Sequence, residues 1–274
     1  MRDLTLPRGW RVALLLPALA VFLAFWLLPM AALVQVSGDG HAFETYRAIL
    51  TNARYLDSLW QTVVLSALVT LATLALSLVA GLFLTRHDFP GKSALVSMLT
   101  LPLAFPGVVV GFMVIMLAGR QGLIGDLTSK LIGHKVVFAY SLTGLFLGYL
   151  YFSIPRVILA VMAAAESLDH SLTEAASSLG AGPFAIARDV TLPALAPALI
   201  ASGAMCFATS VGAFGTAFTL ATDIDVLPMT IYTEFTLNAN VATAAALSVI
   251  LGIVTWAVLM LARNFTGQAV AAGG

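Results

Sequence analysis

The charged residues of this chain leave six long gaps, and those gaps decide what it can fold into. No Asp, Glu, Lys or Arg occurs in residues 12–38, 58–85, 93–119, 136–155, 190–222 or 235–262. A helix needs about 20 apolar residues to cross the hydrocarbon core of a bilayer, and every gap reaches that length. The direct reading is an all-α, polytopic membrane protein with about six transmembrane helices. Strands of a membrane barrel would be ~10 residues long with alternating polarity, which these uninterrupted runs exclude. Composition agrees, with 9% charged residues against roughly 25% in a soluble domain. The first run, "RVALLLPALAVFLAFWLLPMAALVQV", is longer than the ~7–15-residue core of a signal peptide. It is therefore expected to stay as an extra N-terminal helix over about residues 12–36.

Several function classes lack their chemistry here. Formal net charge is zero, so no basic field favours nucleic acid. The single cysteine, Cys206, gives neither an internal disulfide nor a cysteine metal site. His41, His87, His134 and His170 are far apart and form no ligand motif. "PGKS" at Pro90–Ser93 is not a phosphate loop, because Arg86 stands where that motif needs glycine. No charged residue falls at the centre of an apolar run, whereas ion-driven pumps use such groups. The expectation is a chain that is not an enzyme, binds no metal and has no engine of its own.

Lys and Arg bias sets the orientation. With the amino terminus in the cytoplasm, the inner segments hold Arg2, Arg8, Arg11, Arg86, Lys92, Arg156, Arg188 and Arg263. The outer ones hold Arg47, Arg54, Arg120, Lys130 and Lys135, so the count is eight against five. Both termini are then expected in the cytoplasm. Residues 37–57 and 119–135 become outer loops, the second carrying a short interfacial helix. Residues 86–93 form an inner loop, and 216–238 form an outer region that dips back into the protein. No repeat or linker divides the chain. It reads as a single integral membrane domain, 1–274, with its core over about 58–263.

Two stretches are irregular for plain spanning helices. "LPLAFPGVVVG" places Pro102, Pro106, Gly107 and Gly111 close together. Broken backbone at membrane depth is tolerated where protein or a water-filled cavity covers it. These four residues are read as pathway-lining, with a kinked packing helix as the alternative. "ASGAMCFATSVGAFGTAFT" is rich in small residues that let helices approach closely. Thr209, Ser210, Phe214 and Phe218 there are read as bordering a translocation path or a subunit seam, with packing as the alternative. With no charge in either stretch, the passage is expected to bind its cargo weakly.

The polar exception lies at about 166–193, "EAASSLGAGPFAIARDVTLP" with its approach. Ser171 and Glu174 have capping-box spacing. Leu172, Ala175, Ala176 and Leu179 share one apolar face. Gly180 is placed to end that helix. Gly182 and Pro183 suit the start of a second helix, expected to finish by Pro193. Two short helices thus meet at a tight elbow, and the first is too short to be stable alone. Its small-residue face suits a groove on a partner.

These residues resemble the EAA loop of ATP-binding-cassette type I importer permeases, the inner-membrane components of binding-protein-dependent transport systems. Glu174, Ala175, Ala176, Gly180, Leu192 and Pro193 match that motif, while Val190 stands in place of its isoleucine. "RHDFPGKSALVSMLTLPLAFPGVVVG" looks like the inner loop and third helix of the same family. The resemblance implies a cytoplasmic coupling helix-turn-helix in a multi-pass protein of the bacterial inner membrane. Its coupling residues would be Glu174, Ala175, Ala176, Leu179, Gly180, Ala181, Pro183, Leu192 and Pro193. It also implies a separate ATPase dimer that holds the ATP and Mg, a second permease subunit completing the pore, and a periplasmic solute-binding protein. The long first helix, the "FPG" loop and "DVLPMTIYTEF" look most like the polyamine, 2-aminoethylphosphonate and opine branch, with sulfate, molybdate, thiamine and iron relatives nearby, implying a polyamine-like or other small organic ion as cargo. An ion-coupled secondary transporter is the alternative from another class.

Overall fold

The chain's structure, a computed structural model, describes residues 8–38, 42–220 and 224–272, without the side chains of residues 8–14, 42, 170 and 266–272. The sequence readings on Arg2, His41 and the side chains of Arg8, Arg11 and His170 fall outside the described residues.

Among the described residues every regular element is helical. In chain order they are α1 (Arg8–Phe22), α2 (Leu28–Ser37), α3 (Ala42–Thr51), α4 (Ala53–Arg86), α5 (Lys92–Thr100), α6 (Gly107–Ala118), α7 (Leu123–Ile132), α8 (Leu142–Glu166), α9 (His170–Ser178), α10 (Pro183–Ile186), α11 (Leu192–Val211), α12 (Phe214–Leu220), α13 (Leu227–Tyr232) and α14 (Val241–Ala272). Six stretches are long and apolar enough to cross a membrane: Leu15–Ser37, Ala53–Arg86, Gly107–Ile132, Leu142–Glu166, Pro183–Val211 and Val241–Phe265. The interfacial helix expected within 119–135 is α7, bounded by Gly122 and by Gly133 at φ 76°. The outer loop expected at 37–57 instead carries α3 and the start of α4.

Three boundaries differ from the sequence reading, each for a local reason. The third apolar run is not one helix. α5 passes through a 3-10 turn, Leu101–Ala104, into extended backbone at Phe105 and Pro106 before α6 begins. Pro102 and Pro106 both lack the donor that a continuous helix needs. The fourth span runs on to Glu166, so Arg156 lies inside α8 and not at its end. The second helix of the elbow does not stop by Pro193. It continues through a π-turn, Ala187–Thr191, where the Leu192 amide donates five residues back to the Ala187 carbonyl. That wider turn lets Pro193, near the start of α11, stay in the helix without its N–H.

The contacts divide the chain into two compact units, one of the residues up to Leu56 with Ile231–Ile250, the other of Asp57–Thr230 with those from Leu251 on. In the smaller unit, Glu234 is buried and accepts a hydrogen bond from Tyr55 Oη at 3.0 Å. The larger unit has an apolar core from Leu65, Val69, Val114, Leu145, Tyr149, Val161, Cys206 and Leu220. Close helix approach there depends on glycine: a Cβ on Gly81 would sit 2.7 Å from Val161 Cγ1.

Broken backbone inside this unit is satisfied by side chains, as a lipid-facing protein requires. Tyr149 Oη donates to the Ala213 carbonyl at 2.7 Å, just past the end of α11. Thr216 Oγ1 donates to the Gly107 carbonyl at 3.0 Å, tying α12 to the start of α6. Thr62 Oγ1 accepts from the Leu227 amide at 2.7 Å, and Ser58 pairs with Thr230 at 2.6 Å. Val226 and Leu227 are buried, so the segment after α12 does turn back into packed protein.

Candidate functional site

The elbow is built by one side-chain cap and two backbone turns. Asp169, not Ser171, caps α9: its carboxylate accepts from the Ser171 amide at 2.9 Å. Both residue types cap well, and here Asp169 has the extended backbone that a cap needs, φ −72°, ψ 109°. Glu174 consequently lies mid-helix, exposed, and forms no capping box. At the other end Gly180 sits at φ 85°. Its amide donates to the Ser177 carbonyl at 3.0 Å, and the Ala181 amide donates to Ala176 at 3.1 Å. That hydrogen-bond pair is a Schellman motif. Gly182 is extended at φ −73°, ψ 163°, and Pro183 opens α10. The chain thus reverses direction within Gly180–Gly182.

The tip of this elbow is apolar and uncovered. Leu179 is 88% exposed and Phe184 80% exposed, with Leu172, Ala175 and Glu174 also exposed. Ala176 and Ala181 are half-buried, while Pro183, Leu192 and Pro193 are exposed. Large apolar side chains grouped in this way mark a contact surface. Phe184 was not singled out from the sequence. Its signal was there: an aromatic one residue past the N1 proline has no core to enter.

Behind the tip lies a cavity of about 540 Å³ between the ends of α4, α8, α9 and α11. Arg86, the last residue of α4, crosses it and donates to Thr191 Oγ1 at 3.1 Å. Thr191 is buried in the π-turn. The Arg86–Thr191 strut and the π-turn thus both join the elbow to the spanning helices.

The second feature is a cavity of about 280 Å³ bounded by α8, the break between α5 and α6, and the break between α11 and α12. Pro102, Gly107 and Thr209 line it, together with Phe105, Thr216 and Arg156. Three of the residues read as pathway-lining are thereby brought together. The others are placed elsewhere. Pro106 is the N-cap of α6, its carbonyl accepting from Val109 and Val110. Gly111 is consumed by packing, since a Cβ there would lie 2.6 Å from Thr219 Cβ. Ser210 is buried with its hydroxyl unpartnered. Phe214 and Phe218 pack on each other, ring centroids 5.3 Å apart, on the outer side of α12. Arg156 joins the wall because α8 continues past it to Glu166, whereas in the sequence its charge marks the end of an apolar run.

Fold and site together define a class: a polytopic α-helical membrane protein whose spanning helices carry a protruding elbow. Residues 74–267 match the family described as binding-protein-dependent transport system inner membrane component. The chain is 36% identical over 202 residues to the molybdenum transport system permease protein ModB of Escherichia coli strain K12, covering 71% of this chain and 87% of that protein. It is 30% identical over 266 residues to PhnU of Salmonella typhi, named as a candidate 2-aminoethylphosphonate transport system permease, covering 93% of this chain and 91% of that one. In fold it is similar to a chain of a bacterial alginate ABC transporter in complex with alginate pentasaccharide-bound periplasmic protein, with TM-score 0.83, 19% identity and 95% of each chain covered. The chain belongs to the family of binding-protein-dependent transport system inner membrane components, and it is a permease subunit of an ABC importer.

Proposed function

We propose that this permease forms half of the translocation pathway for a small ion. The ion would be delivered by a periplasmic solute-binding protein, and a second permease subunit, identical or different, would complete the path. A separate ATPase dimer would hold the ATP and Mg and drive transport; this chain itself would bind no cofactor. Residues 166–193 are the coupling element, with Glu174, Ala175, Ala176, Leu179, Gly180, Ala181, Pro183, Leu192 and Pro193 as its working residues and Phe184 beside them. The protein would sit in a bacterial inner membrane with both termini and the elbow in the cytoplasm.

The observation that carries this reading is the elbow itself. A Schellman turn fixes the direction of α9, and the exposed Leu179 and Phe184 at its tip need a hydrophobic partner. A rigid, uncovered elbow joined to spanning helices by a strut suits transmission of movement from a partner's groove.

The ion is more open. The sequence pattern leans towards polyamine-like cargo, while the relatives above are named for molybdenum and 2-aminoethylphosphonate. A guanidinium on the cavity wall repels a polycation, so a small anion is the better fit.

The test is to co-express the chain with a candidate partner ATPase and purify the two together. The reading expects a stable complex that is lost when Leu179 and Phe184 are both changed to Asp, while the permease remains in the membrane. A complex unaffected by that double change would remove the elbow from the coupling role.

A further inference from the structure

We infer that Arg156 makes the 280 Å³ cavity an oxyanion-binding station on the permease wall, so that cargo is selected inside the membrane as well as by the delivering protein. This rests on the importer reading and adds to it a substrate class and a specificity-determining residue.

The first observation is position. Arg156 precedes the end of α8 at Glu166 by ten residues (166 − 156), about 15 Å of helix. A charged side chain that deep in a span is costly and characteristically faces a water-filled cavity or a partner. Arg156 lines the cavity, and no carboxylate among the described residues pairs with it.

The second is the hydrogen-bond inventory of the wall. No Asp or Glu lines this cavity. The two wall hydroxyls have already committed their protons: Thr209 Oγ1 to the Met205 and Cys206 carbonyls at 3.0 Å, Thr216 Oγ1 to the Gly107 carbonyl at 3.0 Å. A hydroxyl has one proton to give. The guanidinium, with five donors, is thus the side chain on this wall with protons to offer a ligand. The opening of α6 at Gly107 forms part of the same wall; the Pro106 carbonyl takes the Val109 and Val110 amides, which leaves those of Gly107 and Val108 without an intrahelical acceptor. The one charged side chain of the wall and these amides all favour an anion over a cation.

The third is fit. A guanidinium presents a planar fork that matches two oxygens of a carboxylate, phosphonate or tetrahedral oxyanion. A cavity of about 280 Å³ has room for such an ion with part of its water, since each water occupies about 30 Å³.

The test uses the full chain with its co-purified subunits in two preparations, phospholipid nanodiscs and a phosphate-free sugar detergent. The probes are molybdate, 2-aminoethylphosphonate and the dication putrescine, measured by equilibrium binding to wild type, Arg156→Gln and Arg156→Lys. The expected result is binding of at least one anion in both preparations and no binding of putrescine. Arg156→Gln should weaken anion binding by about ten- to a hundredfold. Arg156→Lys should be intermediate, because it keeps charge and loses the fork. The Lys variant also shows that loss in the Gln variant is not misfolding. Equal binding by wild type and Arg156→Gln, or no anion binding in either preparation, overturns the inference. Binding in detergent alone reassigns the cavity to a lipid phosphate and also overturns it. ATP-driven uptake is scored separately in the same complex. Arg156-dependent anion binding without such uptake would leave the station standing and contradict the importer reading.

Discussion

Gly180→Val is the sharpest perturbation of the elbow. Gly180 sits at φ 85°, and nothing lies within 4 Å of a Cβ built on it. Steric collision with neighbours is therefore absent, and the whole effect is backbone strain. An L-residue forced into this left-handed region costs about 1–2 kcal/mol, more for a β-branched one. Converted to population, that disfavours the native elbow about 5- to 30-fold. The chain would relieve the strain by giving up the hydrogen bonds from Gly180 and Ala181 to Ser177 and Ala176, which re-aims α9. Insertion of the spanning helices depends on their apolar length and should not change. Gly180→Asn should be nearly silent, since Asn tolerates left-handed backbone. Gly182→Ser is the matched control, at φ −73° with equally open surroundings, and replaces one acceptable cap by another. The assay measures membrane abundance, ATPase co-purification and uptake together. Expected are normal abundance in all variants and reduced coupling in Gly180→Val alone. Normal uptake by Gly180→Val, or equal loss in Gly182→Ser, would refute the reasoning.

Three further outcomes follow from particular contacts. Tyr149→Phe leaves the Ala213 carbonyl without its donor at 2.7 Å, which should lower stability by about 1–3 kcal/mol; an unchanged thermal midpoint in detergent would contradict it. Gly111→Ala drives a Cβ to 2.6 Å from Thr219 Cβ and should cost about 1–3 kcal/mol, with partial recovery in the Gly111→Ala, Thr219→Gly double variant in the same assay. Lys92 donates to Asp88 at 2.8 Å, and that bond holds the Asp88 carboxyl below its usual pKa. Its contribution is present above the ordinary carboxylate pKa and fades as pH falls through the depressed one. Asp88 is fully exposed, so solvent screens the pair, and Asp88→Asn should leave stability at neutral pH unchanged within error.

Much of this architecture was legible because lipid imposes strong rules. The charge gaps located the spans, and Gly180, Gly182 and Pro183 announced the turn because few residues can take those conformations. What escaped was decided by competition between equals. Asp169 and Ser171 are both good caps two residues apart, and only the realised backbone chose the first. Pro193 looked like a terminator, yet a π-turn before it removed the need for its N–H. Arg156 looked like the membrane boundary because charge usually marks one. The apolar run from Val157 to Ala165 carries α8 past it, turning an apparent end into a wall of the cavity. Gly111 looked like part of a kinked pathway, and its role as a contact for Thr219 depends on α12, more than a hundred residues away.

The central claim is that a separate ATPase drives this permease through the 166–193 elbow. The most direct measurement is uptake into proteoliposomes holding the complete complex, with ATP on the elbow side and the binding protein on the other. The account predicts uptake that requires ATP, falls with Gly180→Val and is absent with an ion gradient alone. Uptake by this chain driven by an ion gradient without the ATPase would contradict it.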